Sequence, residues 1–540
     1  MDLYTWSWLF LIVYVAVMAG FGVLGGRRVG GADDFATARG GYGPLVLALA
    51  FASTAASGAT FLGLPGLTYT YGLSTLWIAF LYPVGIYLGI LICQRTIGRY
   101  GNRAGARSIP EYLGERYQSE GLRISAAVFS LILLFYLAGQ LVAGLVMFEM
   151  MLGLSKAWAL AITTAVLLGY VTLGGAHADI LTDGAQGLLM VILALAILVM
   201  FLLGVGNGGL ESLLSNLQAQ DPRLVQPLHP GAAITASVWA FVSVTVAHIP
   251  LGLLPHIGNK LWALEDEHSR TRFLALAFTF GLILPAITLG GALARGAFGA
   301  ELLTAGPGGA NTALPALFIE IFPAWLAALL GVGILSAVMS TADGLVISTS
   351  QVFANDIYRR SVAPRIHPDR DPAVLDRNVL IISRAVTALT MLGSAALAWF
   401  VMDMNVVLLV WVGIGGFIAA LSGPLVLGSL WGGVTRAGAL TGFWTGAVVF
   451  IVIHGGLVPS DWLAGTRMEG LGRWFTFNAT SPYSAATLAG AAAVVITALV
   501  SRFSTALPQA HLDAVWASPV PTAEPLRGHG RRVTASSCRD

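Results

Sequence analysis

Two adjacent hydroxyl residues, Ser340 and Thr341, lie in a long apolar stretch of the sequence, one helical turn after Ala337. Hard cations bind to oxygen ligands, and hydroxyl and carbonyl oxygens supply such ligands without a full negative charge. The same hydroxyls could instead bond to a carbonyl of their own helix four residues earlier, which is common for Ser and Thr. The pattern alone therefore leaves a cation site and a local structural role equally open.

Two further apolar segments are interrupted near their middle. One contains Ser57-Gly58 and then Pro65, and the other contains Pro250 and Pro255. Broken helices at matching positions of two halves indicate a midplane binding site in secondary transporters, because unwound backbone offers carbonyls to a cation and half-helix amino ends to an anion. The alternative is that these small residues only allow close helix packing. Two breaks in corresponding positions favour the binding site.

The candidate solute-binding residues surround these breaks. Ser57, Gly58 and Thr60 come from the first break and His248 from the second, while Trp411 belongs to a later span. Free N–H groups at half-helix amino ends would suit a carboxylate. Arg295 could draw an anion to the outer mouth, or it could be an interfacial arginine that extends to water.

The composition excludes a soluble globular protein. Of the 540 residues, 56% are apolar and 10% are charged, whereas soluble domains carry roughly 25% charged residues. The net charge of +2 gives no indication of a nucleic-acid surface. Cys93 and Cys538 are too far apart in the chain to indicate a disulfide framework or a metal site. The sequence has no phosphate-binding G-x-x-x-x-G-K-[ST] loop and no clustered catalytic groups, so neither ATP-driven transport nor an enzyme is expected.

The apolar stretches predict the elements that position these residues. A helix needs about 20 apolar residues to cross a bilayer, and about 13 stretches qualify. They lie near 5–25, 43–66, 73–96, 123–152, 156–174, 184–206, 231–255, 272–295, 313–350, 379–402, 405–431, 437–458 and 483–503. The remainder, 504–540, is rich in Pro, Ser and Arg and predicts a disordered cytoplasmic tail.

The basic residues orient the predicted spans. With the N-terminus outside and the C-terminus inside, all but five of the 29 Lys and Arg residues fall on the inner side, as the positive-inside rule requires. The five exceptions are Lys156, Arg223, Arg295, Arg467 and Arg473. The prediction is therefore a multi-pass protein of the plasma (inner) membrane.

Several stretches resemble motifs of the sodium/solute symporter family, including its pantothenate/monocarboxylate and proline branches. They are Gly63-Leu64-Pro65-Gly66 after Ser57-Gly58, Thr182-Asp183-Gly184-Ala185-Gln186 after Leu173-Gly174-Gly175, Pro255-His256-Ile257, Met339-Ser340-Thr341, Asp356-Ile357-Tyr358 and Gly423-Pro424. The resemblance implies an all-α fold with a LeuT-like five-plus-five inverted repeat. The repeats would lie near 43–206 and 231–431 of a transporter domain that spans 1–503.

The resemblance also implies a sodium site. Carried over by position, the ligands are the carbonyls of Ser53, Ala56 and Ala337 and the hydroxyls of Ser340 and Thr341. Asp183, expected at the inner mouth, would then assist sodium exit. Its alternative role is that of a helix N-cap. Ala55 stands where the proline branch has an aspartate, which argues against a plain proline carrier.

The sequence thus predicts sodium-coupled import of a small organic solute that bears a carboxylate, such as a monocarboxylate, a pantothenate-like compound or an amino acid. The alternatives are a sugar or polyol symporter, a proton-coupled carrier of the same fold and, least favoured, a transporter-like sensor. Sodium is the expected coupling ion, and no organic cofactor is expected. The expected partners are the solute and membrane lipid, with no nucleic acid and no obligate protein partner.

Overall fold

The computed structural model describes residues 1–266, 268–304, 309–366, 368–369 and 371–516. In this part of the chain the regular elements are helices, and Tyr42 and Leu264 form an isolated β-bridge. Helices are what the composition dictates, because a bilayer offers the backbone no hydrogen-bond partners and a helix satisfies its own.

Sixteen helices carry the architecture. They are α1 (Leu3–Gly26), α2 (Pro44–Ala55), α3 (Leu64–Tyr71), α4 (Leu76–Gln94), α5 (Leu133–Leu152), α6 (Lys156–Leu203), α7 (Val238–His248), α8 (Pro255–Gly258), α9 (Arg270–Ile283), α10 (Leu289–Phe298), α11 (Ala324–Gln351), α12 (Pro372–Val401), α13 (Val406–Leu421), α14 (Arg436–His454), α15 (Pro482–Phe503) and α16 (Gln509–Trp516). Shorter helices connect them, among them Ala32–Thr37, Ile109–Tyr117, Glu120–Phe129, Leu210–Gln220, Ala313–Ile321 and Glu469–Ala479.

Among the described residues, ten helices are long and apolar enough to cross a membrane, or eleven if one sharply bent pair forms a single span. Two shorter apolar helices, Pro44–Ala55 and Lys156–Leu168, coincide with further predicted spans. The continuous helical segment Ala59–Arg103 contains both the end of the second predicted span and the third. The exact number of thirteen spans and their orientation stay predictions.

The two predicted breaks are confirmed. The helix α2 ends at Ala55, Ala56 leaves helical geometry with φ −93° and ψ 73°, and a π-helical turn at Ala59–Gly63 leads into α3. The second break separates Val238–Leu253 from Pro255–Trp262, which are bent by 57° relative to each other. Pro255 explains this bend, because proline cannot donate the backbone hydrogen bond that would continue the helix.

A third interruption is narrower than expected. A loop is predicted between 174 and 184, but α6 consists of two helices that meet at a single non-helical residue, Gly175, with φ 54° and ψ −148°. A Cβ atom there would come within 2.6 Å of the Phe35 carbonyl oxygen, so the kink depends on glycine. Asp183 consequently lies inside a helix and not at its start.

The segment after the last predicted span is partly folded. Residues 509–516, placed by the sequence in a disordered tail, form the helix α16. His511 Nε2 lies 3.0 Å from the Arg116 carbonyl oxygen, and Arg103 donates to the Ala514 carbonyl at 2.9 Å. The partners of α16 are about 400 residues away along the chain. The local composition of the tail therefore could not predict that this segment folds. Residues 517–540 lie outside the described residues.

Candidate ion site and solute cavity

Four of the five predicted sodium ligands, Ser53, Ala337, Ser340 and Thr341, lie together where α11 crosses the end of α2. Ser340 Oγ lies 3.1 Å from the Ser53 carbonyl oxygen and 3.4 Å from that of Ala337. Thr341 Oγ1 donates to the Thr54 carbonyl at 2.9 Å. Both hydroxyls are fully buried. Both hydroxyls therefore bond to a second helix. A purely local role, with bonds only to carbonyls of their own helix, would not produce these contacts.

Ala56 belongs to the break after α2. Its N–H still bonds to the Ala52 carbonyl at 2.9 Å, and its backbone then departs from helical geometry. Carbonyl groups beyond such a point lose their helical N–H partners and become available to a ligand. The donor set around Ser340 consists of neutral oxygens, which fits a sodium ion.

Asp183 lies directly beside this ion site. Thr54 Oγ1 donates to Asp183 Oδ2 at 2.6 Å, and Ser53 Oγ donates to the Asp183 backbone carbonyl at 3.1 Å. The Asp183 side chain is fully buried. Asp183 lies inside a helix, so its alternative role as a helix N-cap is wrong. Its place on the sodium exit route stays a prediction.

The structure adds two charged residues that the sequence analysis did not single out as site residues. Lys260 Nζ contacts Asp179 Oδ2 at 2.6 Å and also contacts Asp183 Oδ2. The three side chains are between 0 and 7% exposed. Asp179 and Asp183 are four residues apart on one helix face, which was a usable signal. Lys260 follows the break before α8, about 80 residues further along the chain. Nothing in the sequence indicates that it pairs with these two carboxylates.

A cavity lies on the other side of the α2 break. Ser57, Thr60, His248 and Trp411 line it, as predicted. Its wall is completed by Ala55, Ala59, Leu64, Ile78, Tyr82, Ile86, Tyr136, Leu251, Val407, Val410, Ile414 and Tyr483. The cavity leaves about 40 Å³ for the centres of water molecules, which is room for roughly three of them.

Aromatic rings hold His248 at this cavity. The His248 ring centroid lies 4.7 Å from that of Trp411 and 5.5 Å from that of Tyr82. His248 Nδ1 lies 2.6 Å from the Val244 carbonyl oxygen. Since a carbonyl can only accept, we assign the proton to Nδ1, which leaves Nε2 as the acceptor of the neutral ring.

Gly58 does not line the cavity. Its N–H donates to Gln140 Oε1 at 2.9 Å, and a Cβ atom on it would lie 3.0 Å from Ala143 Cβ. Gly58 therefore permits close packing beside the break. Ser57, Gly58 and Thr60 are neighbours in sequence, but only the first and third are available to a solute.

The expected free N–H groups of the first half-helix are already bonded. Ala59 N–H donates to Ser57 Oγ at 3.2 Å, and the N–H groups of Thr60 and Phe61 donate to the Ser57 carbonyl at 2.8 and 3.1 Å. This part of the predicted carboxylate recognition is therefore wrong. The tight turn that begins at Ser57 caps its own N–H groups.

Arg295 has local partners. Its Nε donates to Gln220 Oε1 at 2.9 Å, and its guanidinium carbon lies 5.4 Å from the Tyr69 ring centroid. The residue is 7% exposed and does not line the cavity. It therefore neither extends to water nor presents its charge to the solute cavity.

Comparisons with known proteins agree with this architecture. A model of the sodium:solute symporter family matches residues 35–446. The chain is 30% identical over 470 residues to the sodium/proline symporter of Escherichia coli, covering 82% of this chain and 86% of that protein. It is 27% identical over 414 residues to the sodium/pantothenate symporter of Haemophilus influenzae, covering 76% of this chain and 81% of that protein.

A solved structure shares the fold. It is a Na+-coupled sialic acid symporter in a substrate-bound outward-open state, and it superposes with a TM-score of 0.72 at 18% identity over 94% of this chain and 100% of that one. The fold is LeuT-like, as expected. The curated relatives are transporters and not enzymes. This chain, a multi-pass integral membrane protein, therefore belongs to the sodium:solute symporter family.

Proposed function

We propose that this symporter imports a small carboxylate-bearing solute together with sodium. Ser53, Ala56 and Ala337 supply carbonyl ligands to the ion, and Ser340 and Thr341 supply hydroxyls. Sodium-coupled solute import follows from the family and its relatives. The ligand set and the solute class are the proposed parts.

The observation that carries the proposal is the shared break after α2. Ala56 is a sodium ligand in this account, and the next residue, Ser57, lines the solute cavity. An ion that pulls the carbonyls of the break towards Ser340 also fixes the position of Ser57. Binding of ion and solute is then coupled, because each stabilises the same backbone conformation.

The lining of the cavity favours a carboxylate over a sugar. Among its described residues there is no Asn, Gln, Asp or Glu side chain, whereas a sugar needs several such partners for its hydroxyls. Hydroxyls of Ser57, Thr60 and Tyr82 suit one polar group on an otherwise apolar solute. The adjacent sodium ion supplies the positive charge that a carboxylate requires.

The position of Ala55 narrows the solute further. Ala55 lines the cavity and stands where the proline branch has an aspartate. The described part of the cavity wall therefore offers no acidic side chain to an ammonium group, which favours a monocarboxylate over an amino acid. The solutes named for the relatives are proline, pantothenate and sialic acid, and each of them has a carboxylate.

Uptake competition tests the solute class. The full chain is reconstituted in liposomes under an inward sodium gradient, and labelled short monocarboxylates, pantothenate, amino acids and sugars are screened. We expect monocarboxylates to be taken up and their uncharged amides, matched in size, neither to be taken up nor to compete. Competition by glucose or myo-inositol, with no effect of any carboxylate, would overturn the assignment.

The membrane potential gives an independent test. One sodium ion and one monoanion carry no net charge, so only the chemical gradients drive the cycle. We expect a tenfold sodium gradient to support up to about tenfold accumulation, unchanged by an imposed potential. A neutral solute moved with one sodium ion would gain a further ~2.3 kcal/mol per 100 mV, so strong voltage dependence would contradict import of a monocarboxylate with a single sodium ion.

A further inference from the structure

The buried cluster of Asp179, Asp183 and Lys260 holds two carboxylates and one ammonium group. The ionised cluster carries one net negative charge. Lys260 contacts Oδ2 of each carboxylate, and within the described residues the two Oδ1 atoms are buried without a hydrogen-bond donor. Each carboxylate therefore keeps one oxygen on which a cation could bind.

A small cavity adjoins the cluster. Asp179 and Lys260 line it together with His256 and Ser348. His256 is 2% exposed, and neither of its ring nitrogens has a hydrogen-bond partner in the described structure. The cavity leaves about 20 Å³ for the centres of water molecules. This is space for roughly one water molecule or a small cation.

Only one of the two carboxylates is connected to the ion site. Thr54 donates its hydroxyl to Asp183 and accepts the Thr341 hydroxyl at its carbonyl. Asp179 lies one helical turn away, and among the described contacts it has no bond to Thr54. A sodium ion that leaves Ser340 and Thr341 in this direction meets Asp183 first.

A full carboxylate at this position poses a physical problem for release. In a buried site a carboxylate attracts a cation far more strongly than neutral hydroxyls do, and added ligand charge raises cation affinity. An unneutralised Asp183 would therefore retain the ion. An ammonium group that already occupies Oδ2 reduces this attraction while Oδ1 stays available.

We propose that Lys260 is a tethered counter-cation that prevents Asp183 from trapping sodium on its way out of the ion site. This inference rests on the proposed sodium ligands at Ser340 and Thr341. Lys260 is a positioning residue in this account, since it acts on sodium through Asp183. The Lys260 ammonium group is shared between Asp179 and Asp183. How closely it stays at Asp183 determines how much negative charge the departing ion meets.

A matched pair of double variants isolates this role. Lys260→Met/Asp179→Asn leaves Asp183 as the only charged member, whereas Lys260→Met/Asp183→Asn leaves Asp179. Both keep one net negative charge and differ only in its position. The purified full-length proteins are titrated with sodium chloride against choline chloride, and the thermal midpoint reports sodium binding.

We expect the variant that retains Asp183 to be half-stabilised at a sodium concentration at least tenfold below that of the wild type, and its ²²Na+ dissociation to be slower. The variant that retains Asp179 should show no such fall. A purely structural ion pair would affect both variants alike. Equal sodium dependence in the two variants would overturn the proposal.

A single variant provides a test if the double variants do not fold. Asp179→Asn preserves the ammonium group and leaves it to Asp183 alone, so half-stabilisation should require more sodium than in the wild type. A fall in the required sodium would overturn the proposal. If the wild type itself gains no stability from sodium, the proposed sodium ligands fail, which is a different result from equal behaviour of the matched pair.

Discussion

At the scale of single residues, the proposed sodium site is built on hydroxyls that bond from one helix to another. Ser340 and Thr341 each contact a carbonyl of the α2 segment. We expect Ser340→Ala/Thr341→Ala to raise the sodium concentration for half-maximal uptake at least tenfold, because two of five oxygen ligands are lost and tenfold corresponds to only about 1.4 kcal/mol. Sodium titration of uptake in proteoliposomes measures this shift.

A hydroxyl on the same helix serves as the control for that change. Ser336 is buried, and its Oγ donates to the Val332 carbonyl four residues earlier at 2.9 Å. Ser336→Ala should keep the wild-type sodium dependence, since its partners are Val332 and Tyr14 and it removes no bond to the α2 segment. If the double variant and Ser336→Ala respond alike, the hydroxyl pair does not bind the ion.

Asp183 gives a second prediction at this scale. Asp183→Asn retains the size of the side chain but removes its charge, so a departing sodium ion loses the acceptor beside Thr54. We expect slower turnover with normal expression and a monodisperse purified protein. Single-turnover and steady-state uptake rates distinguish release from binding. Wild-type turnover in this variant would remove Asp183 from the exit route.

The sequence predicted part of this site and missed part of it. The paired hydroxyls and the family resemblance indicated Ser340 and Thr341, because adjacent Ser and Thr are conspicuous in an apolar stretch. Lys260 was counted only as an inner basic residue, since nothing near it in sequence shows that it bonds to Asp179 and Asp183 across about 80 residues. Pairings of this kind exist only in the folded chain.

At the scale of elements, the break after α2 positions both ion and solute. A Cβ atom at Gly58 would lie 2.9 Å from Gln140 Oε1 and 3.1 Å from Val338 Cγ2. Gly58→Ala should therefore push α5 and α11 away from the break at a cost of about 1–3 kcal/mol. We expect lower thermal stability and strongly reduced uptake, measured on the same preparation.

Gly393 is the matched control for this substitution. It lies within α12, and a Cβ atom there would have no heavy atom of the described residues within 4 Å. Gly393→Ala should preserve uptake and keep or raise the thermal midpoint, because alanine favours a helix over glycine by up to about 1 kcal/mol. Equal loss of uptake in both variants would show that the close contacts around Gly58 are not the cause of the loss.

The breaks themselves were predictable, since Gly and Pro in an apolar stretch interrupt a helix. Whether the N–H groups beside the breaks are free or hydrogen-bonded could not be predicted from the sequence. Ser57 accepts three bonds from the following turn through its hydroxyl and carbonyl, and this self-capping depends on a local geometry that composition does not specify. A solute is therefore expected to be recognised by the cavity wall and not by half-helix ends.

At the scale of the whole molecule, composition and apolar stretches were sufficient to predict a helical membrane protein, whereas the LeuT-like fold was implied by the family resemblance. Continuous apolar stretches predict membrane helices, and the LeuT-like fold agrees with the resemblance. The helix α16 was missed because its contacts lie on distant parts of the chain, at Arg103 and Arg116. The kink at Gly175 was likewise predicted as a longer loop, because one residue with positive φ suffices to redirect α6.

In the proposed mechanism a sodium gradient drives solute uptake, and the ion binds at Ser340 and Thr341. The most direct measurement is uptake of a labelled monocarboxylate by liposomes that contain the full chain, under an inward sodium gradient, an inward proton gradient or neither. We predict accumulation above equilibrium only with the sodium gradient, and loss of that accumulation at the same sodium concentration in Ser340→Ala/Thr341→Ala. Accumulation driven by the proton gradient without sodium, or unaffected by the double substitution, would contradict the account.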